Sequence, residues 1–331
     1  MVPSRRIADV AAEAGVSPTT VSHALSGRRP VAPATRARIL NAVERLDYRP
    51  DRLATSLRTQ RTQTLALIIP DIANPYYPAS ARALLDGVND AGFMTLIANT
   101  DGDPEGERAA LQEMVARRVD GIVMHSLATS TADLRRIVGP DLPVVVVGGL
   151  SGLIATDLVV TADSVGLGEA VKYLHGNGVR DLGFVDGPEG NGMYRLVAFL
   201  GAAHALGLNV QDDWIRHTPF TREGGFAAAM SLLHGDRRPA AIMCANDLIA
   251  IGVMDAARAL NIRIPEDLAV IGFDDIETAA LVTPQLTTIT NPASLTGATC
   301  AELLLERIVL GADAPYVTRV LPTSLVLRES A

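Results

Sequence analysis

The chain opens on apolar positions set at a helical period. Ile7, Val10, Ala11 and Ala14 recur at spacings of three and four, so residues 7–14 bury one helical face. Gly15 ends that helix, because glycine enters the left-handed region without steric cost. Ser17 is a good N-cap, and Pro18 at the first helical position loses no hydrogen bond. Val21, Ala24 and Leu25 give a second short helix its own stripe. Two such helices across a tight turn form a helix-turn-helix, whose second helix enters the DNA major groove by its N-terminal residues. Pro18, Thr19, Ser22 and His23 are then exposed and base-facing. A helical hairpin inside a larger core has the same spacing, so the motif alone leaves that alternative open.

A third helix starts near Pro33, with Ile39, Ala42, Val43 and Leu46 on one face. Residues 51–58 form one more helical segment, too short to be stable alone because nucleation is costly. Asp51 can cap it, and Leu53, Ala54 and Leu57 make an apolar face that nothing in the chain is obliged to cover. The polar run 59–63 reads as a linker.

From Leu65 the period changes. Short apolar runs at 65–70, 95–99, 121–125, 144–148, 158–161, 182–186, 241–245 and 270–273 predict strands. Amphipathic stretches at 80–91, 105–118, 166–175, 194–206, 225–233, 248–260 and 294–310 predict helices between them. Continuous apolar strands alternating with helices predict an α/β fold, with parallel sheets covered on both faces.

Composition sharpens this picture. A chain of 331 residues suggests two or three domains, and 48% hydrophobic residues suffice for a substantial core. No apolar run spans a membrane and no signal-peptide core opens the chain, so a cytoplasmic protein is expected. Cys244 and Cys300 form no metal-ligand motif and read as small buried thiols. Charge is divided unevenly. Residues 1–60 hold ten Arg against five Asp or Glu, whereas the whole chain carries −8. A basic head on an acidic body is the footprint of a nucleic-acid-binding module. Arg5, Arg6, Arg28, Arg29, Arg36, Arg49, Arg52 and Arg58 are its candidate phosphate contacts.

The residues Asp9, Val10, Ala11, Ala14, Gly15, Val16, Ser17, Thr20, Val21, Ser22, Thr35, Arg36, Leu46, Tyr48, Pro50, Ala54, Ser56, Leu57 and Arg58, in this order, resemble the LacI/GalR family of transcriptional regulators. Ala32 departs from that pattern, standing where the family has a capping serine, at about 1 kcal/mol of local stability. Further matches cover nearly the whole chain: 69–76, 118–121, 245–247, 271–275 and 286–289. The resemblance implies a helix-turn-helix domain at 1–50, a hinge helix and linker at 51–61, and an effector-binding and dimerisation core at 62–331. That core would be periplasmic-binding-protein-like, with two doubly wound parallel-sheet subdomains: about 62–160 plus 291–322, and about 163–288 plus 323–331. It further implies a homodimer on pseudo-palindromic double-stranded operator DNA, contacted through Arg6, Ser17, Pro18, Thr19, Thr20, Ser22, His23, Arg28, Arg36, Tyr48, Ala54, Leu57 and Arg58. Leu57 matches the leucine that wedges into the minor groove.

Ligands in open α/β sheets bind beyond the carboxyl ends of the strands. Those ends carry Asp71, Asn74, Tyr76, Thr100, Asp101, His125, Ser126, Gly148, Gly149, Asp186, Phe220, Asn246 and Asp274. Carboxylates, amides and aromatic rings suit a small polyhydroxylated ligand. The resemblance narrows the effector set to Tyr76, Tyr77, Ser126, Arg195, Phe220, Asn246 and Asp274, with Arg195 as a clamp on effector oxygens. Asp274 as a loop cap, Asn246 as a helix cap and Phe220 as core are the plainer alternatives. His217 and His234 read as surface residues. A sugar is the expected effector, with a nucleobase or nucleoside as the alternative within the family and a non-regulatory sugar-binding protein as the alternative outside it. The chain has no phosphate-binding GxxxxGK[ST] loop, no GxSxG and only the lone Gly166-Leu167-Gly168, so no enzyme and no cofactor are expected.

Overall fold

The computed structural model describes residues 6–26, 29–48, 61–126, 129–148, 156–189, 194–234 and 237–331. Arg5, Arg28, Arg49, Arg52, Gly149 and the segment 51–58, with Ala54, Leu57 and Arg58, lie outside the described residues. The chain divides into two compact units, Met1–Thr62 and Gln63–Ala331.

The first unit contains α1 (Ile7–Ala14), α2 (Pro18–Ser26) and α3 (Pro33–Arg45). Val10, Ala11, Ala14, Val21, Ala24, Ile39 and Ala42 close its small core. Gly15 caps α1 in the left-handed conformation, φ 64°. The backbone N–H of Arg6 donates to the Asp9 carboxylate at 2.8 Å, which fixes the start of α1. Ser17 Oγ accepts the Thr20 N–H at 3.2 Å and so caps α2. Ala32 precedes α3 with no side-chain cap, and Pro33 takes the first turn.

The second unit contains two parallel sheets. Strands β1 (Thr64–Ile69), β2 (Met94–Asn99), β3 (Gly121–His125), β4 (Val144–Val147), β5 (Asp157–Thr161) and β11 (Thr318–Leu321) form one, in the order β11-β5-β4-β3-β1-β2. Helices α4 (Tyr76–Asn89) and α11 (Ala293–Leu310) supply one of the two apolar clusters on it, while α5 (Pro104–Ala116) and α6 (Thr131–Val138) supply the other. The second sheet has the order β7-β6-β8-β9, from β6 (Leu182–Asp186), β7 (Ile215–His217), β8 (Ala241–Cys244) and β9 (Ala269–Ile271). Helices α7 (Asp163–Gly176), α8 (Tyr194–Ala205), α9 (Arg222–Leu233) and α10 (Asp247–Ala259) pack around it in a single cluster. A short antiparallel pair, β10 (Thr288–Ile289) with β12 (Leu325–Val326), completes the fold.

The chain passes between the two sheets three times, and the crossings are tied together. Thr323 Oγ1 donates to the Ala162 carbonyl at 2.8 Å, and the Thr290 N–H donates to the Ser324 carbonyl at 2.8 Å. Bundling the crossings leaves the sheets joined by a narrow strap beside the cleft. Cys244 and Cys300 are buried free thiols. Among the described residues no helix is long and apolar enough to cross a membrane.

Candidate functional site

The cleft between the two sheets encloses about 480 Å³, within the range of small-molecule sites. It brings together all seven of Tyr76, Tyr77, Ser126, Arg195, Phe220, Asn246 and Asp274. Asp163, Asp186 and Asn291 also line it.

Arg195 sits one residue into α8 and is the hub. Its Nε donates to Asp163 Oδ2 at 3.0 Å, its Nη1 to the Ala245 carbonyl, and its Nη2 lies 3.6 Å from Asp274 Oδ1. Its guanidinium carbon is 3.6 Å from the centre of the Phe273 ring, a cation–π stack. Asp274 has φ 110°, a conformation a non-glycine residue holds only under constraint. Hydrogen bonds from its N–H to the Ile289 carbonyl (2.9 Å) and from Asn291 Nδ2 to its Oδ1 (2.9 Å) supply that constraint.

Burial pushes the Asp274 carboxyl up to about 6, against the pull of Arg195 and the Asn291 hydrogen bond, and with a push from Asp163. Burial likewise raises Asp186 and lowers His125 to about 3, so the His125 imidazole is neutral. A carboxyl whose folded pKa is raised binds its proton more tightly in the folded state. Its stabilising effect is therefore complete below the unfolded value of about 3.9 and lost as pH rises through the folded value. In denaturant melts of the ligand-free protein the Asp274 contribution to stability is expected to fall as pH rises from about 4 to about 6, against an opposite rise from His125, which is buried neutral while the unfolded imidazole charges below about 6.5. Asp186 and Asp247, also raised by burial, bend the profile the same way. Asp274→Asn should flatten part of that fall, and an unaltered profile in the variant would remove Asp274 from it.

Aromatic rings form the opposite wall. Tyr76, Tyr77 and His125 meet edge to face at 5.2–5.9 Å between centroids. Tyr76 opens α4, earlier than the predicted start at residue 80, because Asn74 Oδ1 takes its N–H at 3.1 Å. Phe220 lies against Gly187 so closely that a Cβ there would fall 2.0 Å from the ring. The plainer alternative for Asn246 is also seen: its Oδ1 caps α10 through the Ile249 N–H at 2.8 Å while the residue lines the cleft. Ser126 donates to Glu107 at 3.2 Å. His217 corrects the expectation of a surface residue. It is half-buried, with Nδ1 3.9 Å from Asp186 and 3.0 Å from the Gly187 carbonyl. His234 is exposed.

Among the lining residues outside the expected effector set, Asp163, Asp186 and Asn291 carry the polar chemistry closest to Arg195 and Asp274 or at a strand end. Asp163 follows β5 by two positions, just past the predicted run 158–161. Asp186 does end a strand, but nothing in the resemblance selects it. Asn291 sits on a crossing segment with no strand run to mark it.

In the head, Arg6, Ser17, Pro18, Thr19 and Arg36 are exposed. Thr20 and Tyr48 are half-buried. Ser22 and His23 were expected to be exposed and are half-buried, being flanked by the inward Val21 and Ala24. Pro18 and Thr19 are thus the exposed positions at the start of α2. Ser17 Oγ is shared between the cap and the Thr20 hydroxyl, 2.9 Å away.

Comparison with known proteins bears on both regions. Residues 6–51 match bacterial regulatory proteins of the lacI family, and residues 171–331 match a periplasmic binding protein-like domain. The HTH-type transcriptional repressor PurR of Salmonella typhi is 34% identical over 312 residues, covering 92% of this chain and 90% of that protein. A complex of the transcriptional regulator CelR with cellobiose superposes with TM-score 0.74 at 28% identity, over 99% of this chain and 100% of that one. The lac repressor dimer bound to operator and an anti-inducer superposes with TM-score 0.88 at 23% identity, over 98% of both chains, and so shares the fold.

Proposed function

The chain belongs to the LacI family of bacterial regulatory proteins and is a DNA-binding transcriptional regulator, and from that premise we propose that it is a homodimeric repressor switched by a small polyhydroxylated effector in the cleft. The cleft carries this reading: a charged hub of Arg195, Asp163 and Asp274 shares about 480 Å³ with the Tyr76, Tyr77 and Phe220 rings. Carboxylates take hydroxyl donors, and rings cover the apolar face of a sugar. The CelR complex supports a sugar. A nucleobase is the second reading, because the Tyr76, Tyr77 and Phe220 rings of the cleft also suit a planar base. Edge strand β2 exposes Met94 and Ile97, which suits burial against a second copy.

Switching is a population shift. The ligand contacts both sheets across the strap of crossing segments, so it favours one arrangement of them over another and biases the head's grip on operator. Arg6, Ser17, Pro18, Thr19, Thr20, Ser22, His23, Arg28, Arg36, Tyr48, Ala54, Leu57 and Arg58 are the proposed DNA contacts. A band-shift assay on a pseudo-palindromic fragment, with and without sugars and nucleobases, tests the proposal directly. Failure to shift any selected fragment would reject it.

Two quantitative outcomes accompany that assay. Log affinity should fall with log salt by about 0.9 per phosphate contact, so a slope near zero on a specific site would remove the arginines as anchors. Replacing Thr19 should change operator preference by roughly 1–3 kcal/mol at one base pair. Replacing Arg36 should weaken every sequence alike. Unchanged base preference in the Thr19 variant, read by operator selection, would displace the proposed register.

A further inference from the structure

The hydrogen-bonding groups of the cleft are unequally committed. Arg195 faces two carboxylates and a carbonyl, so its charge is matched before any ligand arrives. Asn246 spends its oxygen on the Ile249 N–H and its Nδ2 on the Phe220 carbonyl, 3.3 Å away. The Ser126 hydroxyl goes to Glu107.

Two acceptors stand out among the groups that remain open. Asp186, 7% exposed at the end of β6, accepts the Gly187 backbone N–H, and no hydrogen bond from a described side chain fills its remaining lone pairs. Its nearest cationic candidate is His217 Nδ1 at 3.9 Å, and that nitrogen is engaged with the Gly187 carbonyl at 3.0 Å. Asn291 is a second, independent case: its Oδ1 is buried without a partner. The amide cannot be turned round to relieve this. An ionised carboxylate only accepts, so Asn291 must present its nitrogen to Asp274. Among the described lining residues, three carboxylates, Asp163, Asp186 and Asp274, stand against the single guanidinium of Arg195.

Buried acceptors with unfilled lone pairs are completed by a ligand that brings hydrogens. We infer that the effector is an uncharged or amine-bearing molecule whose donors engage Asp186 and Asn291, and that Asp186 excludes phosphorylated and carboxylated relatives of it. Hydroxyls of a diol and a protonated amine both meet this demand. A phosphate or carboxylate brings acceptors to acceptors and negative charge to an acidic cleft. The inference rests on the cleft being the effector site, and it makes Asp186 the residue that sets effector charge.

The test uses the full-length protein with thermal shift and calorimetry. Probes are matched sets: glucose, glucosamine, glucose 6-phosphate and gluconate; ribose and ribose 5-phosphate; adenosine and its monophosphate; cellobiose; and inorganic phosphate alone. No anionic probe should stabilise the wild type saturably, and any neutral probe that binds should exceed its phosphate ester by at least about 100-fold. Asp186→Asn, which keeps the side chain's shape, should weaken the neutral probe by about 10-fold or more and narrow that gap. Unchanged operator binding and circular dichroism confirm that the variant folds. The inference is overturned if inorganic phosphate or a phosphate ester binds the wild type and loses that binding in Arg195→Ala. It is also overturned if Asp186→Asn binds the neutral probe as the wild type does. Wild-type affinity in both Arg195→Ala and Asp274→Asn would instead move the effector site away from the cleft, which is the failure of the underlying reading.

Discussion

Arg195→Ala is expected to bind operator like the wild type while losing effector affinity by about 100-fold or more, near 2.7 kcal/mol. The guanidinium is the only cation among the described residues of the cleft, and its removal strands two carboxylates at once. Leaving buried charges unpaired costs about 3–5 kcal/mol, so the variant's core should also melt earlier. The hub is part of the fold as well as the site, because Arg195 also stacks on Phe273 and holds the Ala245 carbonyl. Asp274→Asn separates these roles. An amide oxygen can still accept from Asn291, so stability should be spared while the charge facing Arg195 is lost. Both substitutions lie outside the unit that carries the helix-turn-helix. If the effector is an inducer, each variant represses constitutively in a reporter strain; if it is a corepressor, each fails to repress. Calorimetry giving wild-type effector affinity in both variants would reject the hub.

Much of this site was legible because strand ends are legible. Apolar runs such as 121–125 and 182–186 coincide with β3 and β6, and the polar residue ending such a run marks the cleft. Strands β7 and β11 were not foreseen, since Arg216, His217, Thr318 and Arg319 give them no apolar run. Both are edge strands, where one side needs no partner and polar residues are tolerated. Strands β10 and β12 are hidden by length, since two residues each are too few to show a period. Helix α6 was missed because only Leu134 and Val138 of its eight residues are buried core. Asp163 and Asn291 were missed for a different reason. Asn291 takes its role from what the fold brings beside it on a crossing segment, and Asp163 lies two residues past the end of β5 rather than at it. The half-buried state of Ser22 and His23 is likewise tertiary, since helical spacing alone cannot say how far α3 covers α2.

Arg307→Ala is expected to destabilise the core most, by about 3–5 kcal/mol and a melting-temperature loss on the order of 10 °C. Arg307 lies in the last turn of α11 and is 5% exposed. Its Nε and Nη2 donate in parallel to both oxygens of Asp157, each at 2.8 Å. Its remaining donors reach the carbonyls of Gly311, Ala314 and Pro315 at 2.6–3.2 Å, so all five N–H groups are used. The Tyr316 ring lies 4.9 Å from the guanidinium carbon. Asp157 Oδ1 also takes the Val317 N–H at 2.8 Å, which sets the register of β11 on β5 at Thr318 and Leu158. One side chain thus fixes a helix end, the following loop and the edge of the sheet. Lysine cannot replace it, because an ammonium has three donors and no planar fork. Arg307→Lys should therefore fall close to Arg307→Ala in thermal melts. Replacing both partners by apolar residues should recover much of the loss, since no buried charge is then left alone. Strand β11 leads directly through Thr323 and Ser324 into the strap beside the cleft. Loosening it should expose 311–321 to proteolysis and weaken effector binding without any change at Arg195. A melting temperature for Arg307→Ala within about two degrees of the wild type, less than the shift expected from 1 kcal/mol, would contradict this account.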